Sequence, residues 1–80
     1  MMITLLYFAA VRDLVGVNEE RIETRARTIA ELRAELEARR LELRDRLAHV
    51  RFARNEQFAL DADEIADNDT IALIPPVAGG

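Results

Sequence analysis

The chain has 80 residues, 50% apolar and 32% charged, and its 11 basic against 15 acidic side chains leave a net charge of −4, a balance that fits one small globular domain over residues 1–80 and excludes gross disorder. No apolar run approaches the roughly 18 residues that cross a bilayer, and the start lacks a secretion signal, so a cytoplasmic protein with no membrane partner is expected. Cys, Ser and Lys are absent and His49 is the only histidine, which removes disulfides, Cys-based metal sites, Ser/His/Asp and Cys/His catalysis and Schiff-base lysines.

Residues 2–8 are rich in Ile, Leu, Tyr and Phe and alternate weakly, which predicts a strand with at least one buried face. Tyr7 and Phe8 fall on its opposite faces. Phe8 is the expected core residue, and Tyr7 is open to either core packing or partner docking. Residues 8–16 shift to helical spacing: Ala10 and Leu14 form one line, Phe8, Val11 and Val15 another, and Gly16 supplies a C-terminal stop. Residues 17–24, with Val17 and Ile22 among polar neighbours, read as a second strand.

Thr28-Ile29-Ala30-Glu31 is a capping box, in which the Thr hydroxyl and the Glu carboxylate each satisfy an orphan backbone N–H. Ile29, Leu32 and Leu36 then share one helical face, with Glu35 and Arg39 paired on the solvent side. A second short helix is expected from Leu41 to about Leu47. Residues 50–54 alternate as a third strand, Asn55-Glu56 makes a turn, and Phe58-Ala59-Leu60 follows as a fourth. Residues 61–69 form a loop anchored by Ile65. Residues 70–74 are an apolar run expected of a strand in mid-sheet, ended by Pro75, which removes a ladder donor.

Helices and strands in this order share one core, giving an α+β fold: a mixed sheet packed on one main helix, the ubiquitin-like β-grasp. The last strand is expected centrally, beside the first, so that its end projects Gly79 and Gly80 outward.

Arg33, Arg39, Arg40, Arg44 and Arg46 are interleaved with Glu and Asp, the pattern of a solvated face, and the net acidity argues against a nucleic-acid partner. Residues 1–54 hold all 11 Arg against 9 acids, whereas residues 55–80 hold 6 acids and no base. The segment that delivers the tail is thus acidic, either to steer it toward a basic partner surface or simply as a solubilising loop. Asp61, Asp63, Asp67 and Asp69 lack the central Gly and closing Glu of an EF-hand, so no metal is expected there. His49 is expected at a helix end or on the surface, and Phe52 and Phe58 in the core or on the sheet surface.

The candidate functional group is the terminus, Pro75-Pro76-Val77-Ala78-Gly79-Gly80. Two of the 3 glycines are the last two residues; with glycine near 7% of average usage, such a pair arises by chance in roughly 0.5% of chains. Without Cβ atoms, Gly79 and Gly80 can thread a narrow channel. The Gly80 α-carboxylate, with an ordinary pKa of roughly 3.3–3.7, is an anionic oxygen nucleophile at neutral pH. Pro75 and Pro76 restrict φ and favour an extended arm, and Val77 and Ala78 are the side chains a partner would read along it. The alternative is a frayed end or an expression scar.

Leu6-Tyr7-Phe8-Ala9-Ala10-Val11-Arg12-Asp13-Leu14-Val15-Gly16 and Asp69-Thr70-Ile71-Ala72-Leu73-Ile74 through Gly80 resemble the opening and closing segments of the small subunits of molybdopterin synthase, nearly end to end. The resemblance implies a sulfur carrier of molybdenum cofactor biosynthesis that is not catalytic alone and binds no cofactor itself. A ubiquitin-activating-like adenylating enzyme would use ATP and Mg to convert the Gly80 carboxylate to an acyl-adenylate. A sulfur donor protein would then leave a thiocarboxylate on Gly80. Docked in a heterotetramer with the large synthase subunit, the tail would deliver that sulfur to a pterin precursor. Thiamine-pathway sulfur carriers and ubiquitin-like modifiers share the terminal Gly-Gly and remain the alternatives.

Overall fold

The computed structural model describes residues 1–76. In β1 (Met2–Tyr7) the alternation is strict: Ile3, Leu5 and Tyr7 are buried, and Thr4 and Leu6 face the other way. Gly16, at φ 92°, ends α1 (Ala9–Val15) in the left-handed conformation that glycine adopts without a Cβ penalty. The chain then returns as β2 (Glu19–Glu23), antiparallel to β1, with Ile22 opposite Ile3. This strand starts later than expected, because residues 16–18 make the reversal and Val17 stays exposed.

Thr28 caps α2 (Ile29–Arg39) as expected, its hydroxyl accepting the Glu31 N–H at 3.2 Å. The reciprocal bond differs: the Glu31 carboxylate accepts the Arg27 N–H, one residue before the cap. Ile29, Leu32 and Leu36 are buried in one cluster with Ile3, Leu5, Tyr7, Phe52, Ile71 and Leu73 of the sheet. The expected helix over 41–47 is instead a 3₁₀ turn, Leu41–Leu43. Arg44 leaves the helical region and Asp45 sits at φ 60°, while Leu43 and Leu47 still reach the core.

β3 (Arg51–Arg54) and β4 (Gln57–Phe58) form a hairpin through Asn55 and Glu56, both at positive φ, the twist that suits a two-residue connection. β4 is shorter than expected and ends before Ala59. β5 (Thr70–Ile74) has the expected bounds and the expected place, parallel to β1 and antiparallel to β3. The strand order β2-β1-β5-β3-β4, with the helices on one face, is the ubiquitin-like β-grasp.

Two polar residues hold more than their sequence context announced. Thr24 is buried, and its hydroxyl meets both Glu35 carboxylate oxygens at 2.8 and 2.9 Å. Glu35 therefore does not simply face solvent: it pairs with Arg39 at 3.2 Å and also locks the β2–α2 connection. Asp69 is buried where β5 begins. Its carboxylate accepts from Arg54 Nε, Asn55 Nδ2 and the Ala66 N–H, while Asn55 Oδ1 accepts the Thr70 N–H. The β3–β4 turn is thus stitched to the central strand.

Burial alone would raise the Asp69 pKa, but the hydrogen bonds from Arg54, Ala66 and Asn55 outweigh it and hold the carboxyl below its ordinary value. A folded pKa below the unfolded one stabilises the fold above the unfolded value, and that contribution is lost as pH falls through the folded value. Thermal melts are expected to show a falling Tm below about pH 4. Asp69→Asn should lower Tm at pH 7 and flatten that acid limb; an unchanged limb would place the titration on other carboxylates.

Candidate functional site

The tail leaves from the end of the central strand. Ile71 and Leu73 face the core with no exposure, and Thr70, Ala72 and Ile74 lie half-buried on the open face of the sheet. β5 is laddered on both sides at the centre of the sheet, and its last residue, Ile74, pairs with Arg51 of β3, which fixes the root of whatever follows it. Pro75 is half-buried and Pro76 exposed, directly after the strand, as the sequence predicts. Val77, Ala78, Gly79 and Gly80 lie outside the described residues.

Register places an apolar row across the open face. Leu6 is opposite Ala72, Ala72 opposite Ala53, and Ala53 opposite Phe58. Phe8 and Ile74 join this row at the tail end, and together they line a shallow groove of about 610 Å³ with Asn55, Glu56 and Thr70 at its rim. Phe8 is 45% and Phe58 57% exposed. Large aromatics left exposed on one apolar face mark a surface that another molecule covers.

This corrects the assignment of the two aromatics of the first strand. Tyr7 is the buried one, at 2%, and Phe8 the exposed one. β1 sends its odd-numbered residues to the helices, and the weak alternation of its sequence did not reveal which parity was inward. Tyr7 donates its hydroxyl to Glu20 at 2.5 Å, and Glu20 also pairs with Arg40 at the end of α2. Burial and the adjacent Glu20 carboxylate push the Tyr7 phenol above its ordinary pKa. The group ties β1, β2 and α2 together beneath the root of the tail.

Phe52 is in the core, with the Arg33 guanidinium over its ring, and His49 is exposed. The acidic stretch does not surround the tail root. It enters β5 at Asp69, a strand's length of about 16 Å from Ile74. Most of its carboxylates are engaged internally: Asp61 with Arg33 at 3.3 Å, Asp63 with the Leu60 N–H, Asp67 with the Met2 N–H, and Asp69 as described. Among the described residues no three His, Cys, Asp or Glu side chains converge on a metal position. Nor is any helix there long and apolar enough to cross a membrane.

The open face as a unit is not legible in the sequence. Its signal was present in Leu6, Ala72 and Ile74 alternating with buried neighbours, but strands apolar on both faces hide which side is covered.

A constrained central strand ending in Pro-Pro, beside an uncovered apolar face, is a geometry built to present a tail. A family model, the ThiS family, matches residues 5–80. The chain belongs to the ThiS family. A molybdopterin synthase sulfur carrier subunit from Chlamydomonas reinhardtii is 35% identical over 83 residues, covering all of both chains. One from Mycobacterium tuberculosis is 34% identical over 80 residues, covering 98% of this chain and 96% of the relative. Among solved structures, the complex of subunits 1 and 2 of the molybdopterin-converting factor from Helicobacter pylori contains a chain with the same fold. It aligns at a TM-score of 0.72 and 27% identity over the full length of both. The ThiS-family match includes Gly79 and Gly80, so the candidate site lies inside the shared region.

Proposed function

We propose that this chain is the sulfur carrier subunit of a molybdopterin synthase. The observation that carries the reading is the end-to-end likeness to carrier subunits, with β5 running centrally into the Pro75-Pro76 tail. In this reading Gly80 is the working residue. Its carboxylate oxygen attacks the α-phosphorus of ATP held by an adenylating partner, and pyrophosphate leaves. A carboxylate is a poor electrophile, so this activation must come before sulfur attack, and the partner's Mg and basic groups manage the phosphate charge. Hydrosulfide delivered by the donor then attacks the acyl carbon, AMP leaves, a proton is lost, and a thiocarboxylate remains.

Docked on the large subunit, the tail presents that sulfur to the pterin precursor. Pro75 and Pro76 reduce the entropy lost on entering the partner, and Val77 and Ala78 are read along the way. Gly79 supplies a narrow backbone next to the reacting carbon. The open face, with Leu6, Phe8, Phe58 and Ile74, is the part of the body that the large subunit covers. Two carriers and two large subunits would make up the complex, and the chain itself holds no cofactor.

Intact mass spectrometry tests this reading. Incubation with the adenylating enzyme, ATP, Mg and a sulfur donor is expected to add the mass difference of one oxygen replaced by sulfur, located on Gly80. Conjugates to other proteins on a gel, without that gain, would instead make the chain a modifier. Rescue of a thiamine-pathway null strain, but not a molybdenum-cofactor null strain, would move it to the other sulfur pathway.

A further inference from the structure

A cation stands beside the apolar row of the open face. Arg51 opens β3, lies opposite Ile74 in register, and places its guanidinium carbon 3.8 Å from the centroid of the exposed Phe58 ring. Among the described residues it has no ion pair, unlike Arg33, Arg39, Arg40 and Arg54, each of which meets a carboxylate. Glu56, which also lines the groove, is not among the ion pairs of the described residues. While the face is open to water this arrangement is easily tolerated, because the guanidinium stays hydrated and the ring contact adds a weak attraction.

Covering the face changes the balance. A partner that packs on Leu6, Phe8, Phe58 and Ile74 strips water from the charged Arg51 guanidinium. A buried guanidinium without an anionic partner is strongly disfavoured. The geometry points to a partner surface that is apolar at its centre and carries an Asp or Glu placed to meet Arg51 where it lies on Phe58. We infer that the large subunit supplies this carboxylate. The occupant's identity rests on the proposed function; its chemistry rests on Arg51, Phe58 and Ile74. A surface with an apolar or basic residue at that point is rejected, so Arg51 serves as a specificity-determining residue for docking.

The test uses the full-length chain and the large synthase subunit of the same organism, titrated calorimetrically at low and high salt. Arg51→Met keeps an unbranched apolar stem and removes the guanidinium and its charge. It is expected to weaken binding by roughly tenfold or more and to make the remaining affinity less sensitive to salt. Arg51→Lys, which keeps the charge but not the planar fork, should lose less. Because Arg51 is exposed, both variants should melt as the parent does, which a thermal scan checks. Arg51→Met binding as tightly as the parent, or more tightly, overturns the inference while leaving the sulfur-carrier reading intact. If the parent chain itself fails to bind the large subunit, both fall together.

Discussion

Adding one alanine after Gly80 is expected to abolish sulfur loading and transfer while leaving the Tm of the fold unchanged. The extension converts the Gly80 carboxylate to an amide, whose carbonyl oxygen no longer attacks ATP. The new terminal carboxylate lies one residue, about 3.5 Å, further along and carries a Cβ beside it. A displacement of only about 1 Å at a reacting centre can cost roughly 100-fold in rate, so a shift of a whole residue should reduce loading below detection. Intact mass after incubation with the charging system reads the first effect, and single-turnover conversion of the pterin precursor the second. An extended chain that still gains sulfur would remove Gly80 from the mechanism. The unchanged Tm follows because the addition lies seven residues beyond Ile74, the last residue of the sheet.

Leu73→Ala should have the largest effect on the fold. Leu73 is fully buried in the central strand, with Tyr7 opposite it on β1 and Phe52 opposite it on β3. Ladders on both sides keep the backbone from closing over the space left by the side chain. Such truncations cost about 2–5 kcal/mol, a large share of the roughly 4–12 kcal/mol that a chain of this size has in total. Tm is expected to fall by roughly 10–30 °C. Ile74→Ala, one residue on, offers the contrast. Its side chain is half-buried on the open face, so it should cost little stability and act on docking to the large subunit instead. Thermal melts of the two variants separate the roles; equal losses would mean that the open face is as tightly packed as the core.

The strongest local signals survived folding. Thr28 and Glu31 opened α2, Gly16 closed α1, and Thr70 to Ile74 formed β5 with the expected bounds, because a cap, a left-handed stop and a short apolar run between polar and proline residues are decided within a few residues of chain. Weaker signals were decided elsewhere. Leu43 and Leu47 have helical spacing, yet a 3₁₀ turn and a left-handed Asp45 bring both into the core, since burial fixes where the side chains end up and not the path between them. Tyr7 and Phe8 were visibly on opposite faces, but their assignment depended on which side α2 packed.

From its residues alone, then, this chain declared an α+β fold with a Pro-Pro arm and a terminal Gly-Gly, and the family resemblance in those same residues named the chemistry that would use them. Local sterics, capping and the nucleophile content of 80 residues are properties of the chain itself. Only the tertiary structure joined Leu6, Phe8, Phe58 and Ile74 into a face, set Arg51 on the exposed Phe58 ring, and placed Asp69 at the far end of β5 from the tail. Those relations arise from strand order and register, which are fixed by burial between segments as far apart as Leu5 and Ile71 and not by any stretch of sequence alone.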